Sequence, residues 1–117
     1  MNIFLSKSNV ESEFNSSEFV IKTQKQIAKD FSLYGIMFDK QFENTAFHYN
    51  QIIDFVAEKL IKVMQLGESQ LLQLLYQIDI PQNHFLELLN KTDFPILLSD
   101  LIIRREAYKV HLRYRFS

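Results

Sequence analysis

The sequence predicts an all-α fold, a small bundle of four to five helices in a single domain. Three observations carry that expectation. Glycine and proline number two each, too few for the many tight turns of an all-β domain. Apolar residues recur at three- and four-residue spacing over long stretches, the period of a helix that buries one face. A chain of 117 residues that is 47% hydrophobic and 23% charged fits one soluble globular domain with its own core. Eleven phenylalanines and no tryptophan make that core rich in Phe, Leu and Ile.

Residues 1–16 read as an N-terminal arm, polar and Ser/Asn-rich after Leu5, either loose or docked through Ile3, Phe4 and Leu5. Residues 17–117 form the helical domain. Its first helix starts near Ser17, where a Ser N-cap and Glu18 in the first turn suit a helix N-terminus. Val20, Ile21, Ile27, Ala28, Phe31 and Tyr34 share its apolar face, with Lys22, Lys25 and Lys29 mostly off it, and Gly35 stops it. The stretch "IMFDKQF" is an apolar connection that must be tucked against something.

The second helix runs from Asn44 or Thr45 to Leu66, with Gly67 past its end. Tyr49, Ile52, Ile53, Val56, Leu60, Val63 and Met64 form one stripe, and Asn50, Asp54, Glu58, Lys62 and Gln65 the opposite one. Phe55 points to the polar side, either as an anchor for a partner's groove or as a surface aromatic that the arm covers. The third helix spans Glu68 to Ile78. Two segments, "DIPQNHFLELL" and "DFPILLSDLII", both open Asp-apolar-Pro and lead into apolar runs, which makes Asp79 and Asp93 expected N-caps.

The last helix starts at Phe94. Phe94, Leu97, Leu98, Leu101, Ile102, Tyr108 and Leu112 fall on one face, and Ile96, Ile103, Ala107, Val110 and Tyr114 on a second, opposite stripe. A helix apolar on two sides lies between two neighbours, within one chain or across a dimer. From Tyr108 to Phe116 apolar and basic residues alternate strictly, so residues 108–116 have a strand as the alternative reading. The helix to about Leu112 is preferred, since nothing after Pro95 breaks it and a terminal strand needs an edge to pair with.

Several chemistries are closed to this chain. It has no cysteine, so it forms no disulfide, zinc ribbon or thiol nucleophile. It has no glycine-rich phosphate loop and no nucleophile-elbow serine. His84 with Glu87, and Asp54 with Glu58, have spacings that metal sites in bundles use, but single pairs of this kind are ordinary helix surface. Neither a metal nor a cofactor is expected, and an enzyme is the weaker reading. No apolar run reaches the roughly 20 residues of a membrane span, and no signal peptide is evident. The expectation is a cytoplasmic protein without membrane association.

Charge is the informative feature. Residues 104–117 hold Arg104, Arg105, Lys109, Arg113 and Arg115 against Glu106 alone, a local +4 in a chain of net charge −1. In one reading the basic end rests on the acidic body, with Asp79, Glu87, Asp93 or Asp100 pairing Arg104 and Arg105. In the favoured functional reading the chain is a non-enzymatic protein that binds a protein partner or itself as a homodimer. Ile103, Ala107, Val110 and Tyr114 would then supply buried area, Arg105, Arg113 and Arg115 orientation, and Phe55 a further contact. Nucleic-acid binding through the basic tail, or a small ligand held between helices, are the alternatives.

Overall fold

The structure, a computed structural model, describes residues 3–116, with side chains as far as Tyr114. Seven helices and no strand occur among these residues: α1 (Lys7–Glu13), α2 (Ser17–Ser32), α3 (Lys40–Asn44), α4 (Tyr49–Leu66), α5 (Glu68–Ile78), α6 (Gln82–Leu88) and α7 (Phe94–Phe116). The five expected helices are α2, α4, α5, α6 and α7. Two short ones, α1 and α3, arise within the arm and the "IMFDKQF" connection. Each is opened by a side-chain cap: Ser6 Oγ accepts from Asn9 N at 3.2 Å, and Asp39 Oδ1 from Phe42 N at 3.0 Å. A one- or two-turn helix has too few residues for its period to show in the sequence.

α2 starts at Ser17 as expected, and its Ser N-cap is Ser16, accepting from Phe19 N at 3.2 Å. Asp79 is no N-cap. It ends α5 in the left-handed conformation at φ 71°, where short polar residues are tolerated, and α6 begins after Pro81. Asp93 does sit just before α7, its carbonyl accepting from Leu97 N at 2.9 Å.

The alternating tail is helix, not strand: α7 continues to Phe116. The N-terminal arm meets α7 by one backbone bond, Leu5 N to Arg104 O at 3.0 Å, rather than by a ladder. Alternation over nine residues samples helical positions too, and without an edge the helix satisfies its own backbone.

α7 is the central strut, packed against α4 and α2, with α1, α5 and α6 also touching it. The central residues of its two apolar stripes are thus buried within one chain, while Ile96, Leu112 and Tyr114 stay exposed. Leu98 and Ile102 join Ile52, Leu60, Leu74 and Ile78 in the main core, all fully buried. Ala107 and Val110 form a smaller cluster with Leu5, Val10 and Phe19. Gln24 of α2 pins the connection beside it, donating to the carbonyls of Phe42 and of Thr45 (the latter at 2.7 Å) and accepting from Phe47 N at 3.0 Å.

Candidate functional site

Where α2 passes the end of α7 the surface opens into a groove of about 460 Å³. Lys22, Lys25 and Lys29 line it from α2, on one face because their spacing is three and then four residues. α7 contributes Val110, Arg113 and Tyr114. Lys22 Nζ stands 4.4 Å over the Tyr114 ring and 3.4 Å from Glu18 Oε1. Its pKa is raised, first by the Tyr114 hydroxyl beside it, with Glu18 adding to the effect. Tyr114 also stacks on Phe19, the centroids 6.1 Å apart. Among the described residues, Lys25, Lys29 and Arg113 have no acidic partner.

Behind the groove lies a buried polar cluster. Gln26, which faces the groove, donates to Asp30 Oδ1 at 3.2 Å. Lys109 of α7 reaches Asp30 Oδ2 at 3.4 Å and Glu106 Oε1 at 2.8 Å. Asp30 is 3% exposed and Glu106 0%. Burial first, and then Asp30, push the Glu106 carboxyl well above the usual carboxylate range, against the opposing pull of Lys109.

The proposed contact residues separate into three groups. Ile103, Ala107 and Val110 are 0–2% exposed and packed inside the chain. The middle of the second stripe is therefore not a free face: Ile103 belongs to the main core, and Ala107 and Val110 pack with Phe19 of α2 and with Leu5 and Val10, while Ile96 and Tyr114 at its ends are exposed. Phe55 is half-buried, edge-on to Phe42 at 5.8 Å and Phe47 at 5.0 Å, so the residues around α3 cover it instead of the arm. Arg105 is a staple: it donates to Asp79 O at 3.1 Å, Asp79 Oδ2 at 3.3 Å and Ile3 O at 3.3 Å. Arg113 and Tyr114 remain on the surface, in the groove. The Arg115 side chain lies outside the described residues.

Sequence reasoning missed the lysine row of α2 as a partner for the tail, since nothing local joins residues 22–29 to 113–114. It also missed Glu106, placed with the surface charges but buried. The signal was there: Ile103, Glu106 and Val110 follow helical spacing, so Glu106 sits inside an apolar stripe.

Other surface features are less charged. A groove of about 580 Å³ is lined by Leu72, Tyr76, Pro81 and Phe85 among others, with Tyr76 83% exposed. Tyr49 gives its hydroxyl to Asp100, and burial first, then that carboxylate, raises its pKa. His84 packs edge-on to Phe4 at 5.0 Å. Among the described residues no group of three His, Cys, Asp or Glu side chains could hold a metal, and no helix is long and apolar enough to cross a membrane. Comparison with protein-family models, curated proteins and solved structures finds no match to this chain.

Proposed function

We propose that this is a small non-enzymatic binding protein that docks an acidic segment of a protein partner in the groove between α2 and the end of α7. The observation that carries the reading is the set Lys25, Lys29 and Arg113. These three cations converge on one groove, with no acidic partner among the described residues, in a chain whose net charge is −1. Cations with no ion-pair partner are available to a ligand, and the exposed part of the Tyr114 ring adds apolar contact to the charge contacts.

The chemistry favours carboxylates on a protein over a nucleic acid. From Lys22 to Lys29 the row is about 10 Å long at helical rise, and carboxylates spaced three or four residues apart on a second helix repeat at the same interval. A nucleic-acid strand needs a longer basic track, and the rest of this chain is acidic. Tyr114, the groove's aromatic, already stacks on Phe19 and carries Lys22 over its ring.

The test is fluorescence anisotropy with three labelled probes: a synthetic helical peptide with Glu at that spacing and one Leu, its Gln counterpart, and a single-stranded oligonucleotide. The Glu peptide should bind, the Gln peptide should not, and the triple variant K25E/K29E/R113E should lose at least tenfold in affinity. Equal binding of both peptides, or indifference to charge reversal, overturns the reading. Oligonucleotide binding with a steep salt dependence would replace it with the nucleic-acid alternative. Light scattering of the free chain shows whether the partner is a second copy.

A further inference from the structure

The buried cluster behind the groove has a charge imbalance that geometry alone exposes. Two interior carboxylates, Asp30 and Glu106, face one ammonium, Lys109. Lys109 Nζ stands 2.8 Å from Glu106 Oε1 and 3.4 Å from Asp30 Oδ2, so one cation is shared between two buried carboxyl groups. Two carboxylate oxygens bond to each other only when one carries a proton.

Among the described residues no further ion pair reaches Asp30 or Glu106. From α2 the cluster meets Asp30, with Lys22, Lys25 and Lys29 turned outward to the groove. From α7 it meets Lys109. Other ionisable groups beside α7 lie away from the cluster: Glu13 of α1 pairs with His111, Tyr49 of α4 with Asp100 and Asp79 after α5 with Arg105, while Lys7 and Glu11 of α1 line a pocket with Asp100 and Arg104. An unpaired buried charge is strongly unfavourable, so a proton on the cluster removes its excess negative charge.

We propose that Asp30, Glu106 and Lys109 form a proton-held latch that closes α2 onto the end of α7 and thereby regulates the groove. With the proton on Glu106, the carboxyl donates to Asp30 and the cluster is neutral. Without it, two carboxylates repel across the α2–α7 contact, and the lysine row parts from Arg113 and Tyr114. Burial and Asp30 raise the Glu106 value in the fold, so its contribution to stability is complete below the ordinary carboxylate value. That contribution is lost as pH rises through the folded value. The groove is therefore closed and complete on the acid side, and loosens on the alkaline side. The regulatory consequence rests on the groove being the binding surface; the latch itself belongs to the free chain.

The experiment is a carbon-13 NMR titration of the Glu106 carboxyl, from about pH 5 to about pH 10. The amide signals of Gln26, Val110 and Tyr114 are followed in parallel. Expected is a Glu106 midpoint above the carboxylate range, with the groove amides shifting at the same midpoint and E106Q abolishing that transition. D30N should fold and lower the midpoint. The latch is overturned if Glu106 titrates in the ordinary range, or if the groove amides move alike in E106Q. Should E106Q not fold, an unchanged midpoint in D30N overturns it equally. A latch transition without binding of the Glu peptide would sink only the groove reading, and peptide binding without the transition only the latch.

Discussion

Along α7, Arg104 and Arg105 on one side and Arg113 on the other have opposite fates. Arg104 and Arg105, near its middle, are committed to the chain. Arg104 donates to Leu5 O at 2.8 Å and to Asp100 Oδ2 at 3.3 Å, and Arg105 binds Asp79 and Ile3 O. One helical stretch later, Arg113 is exposed and lines a groove with Lys25 and Lys29, none of the three in an ion pair among the described residues. The same residue type on the same helix is a staple in one region and an open contact in the other. A basic run in a sequence is therefore a mixture, and only the fold sorts structural cations from available ones.

The sharpest way to break this contrast is to remove the core beneath both regions. Ile103→Ala, at a fully buried position, should cost about 3 kcal/mol, read as a lower midpoint in urea with unchanged slope. A free-face role for Ile103 would instead leave stability within about 0.5 kcal/mol of wild type.

Next in size is the staple. Arg105→Ala should cost about 1–2 kcal/mol, since its charge-assisted bonds are partly exposed and Asp79 is mostly solvated. Hydrogen exchange at the Leu5 amide, which donates to Arg104 O, should accelerate as the arm loosens. Unchanged protection at Leu5 would show that the arm docks without this arginine.

Tyr49 gives a smaller effect with a clear sign. Its raised value in the fold means that its contribution is complete below the ordinary tyrosine pKa and is lost as pH rises above it. Ultraviolet titration of the five tyrosines should show Tyr49→Phe removing the last phenol to ionise, at a cost near 1 kcal/mol at neutral pH. The least effect on stability belongs to the groove. Lys25→Glu with Lys29→Glu should change stability by no more than about 0.5 kcal/mol, since neither lysine is in an ion pair among the described residues. A large loss would make those lysines structural and erase the contrast.

Much of the fold was legible. The long helices announce themselves by apolar spacing, and the two-sided stripe of α7 correctly required two neighbours. Both neighbours are in the chain: α4 takes the Leu98–Ile102 side, and α2 with the arm takes Ala107 and Val110. What sequence could not supply was pairing at long range. Arg105 meets Ile3 across a hundred residues, and Tyr114 meets Lys22 across ninety. Phe55 looked exposed because its cover, Phe42 and Phe47, comes from a connection with no period of its own. Of the candidate contacts, Arg113 and Tyr114 lie at the groove, while Ile103 and Ala107 belong to packing.

The most direct test of the central claim is an amide-shift map of the labelled chain titrated with the Glu-bearing helical peptide. The account expects shifts confined to Lys22–Lys29 and Val110–Tyr114, with Arg104 and Arg105 unmoved. Shifts centred on Leu72 and Tyr76, or no shifts at all while the peptide stays helical and soluble, would contradict it.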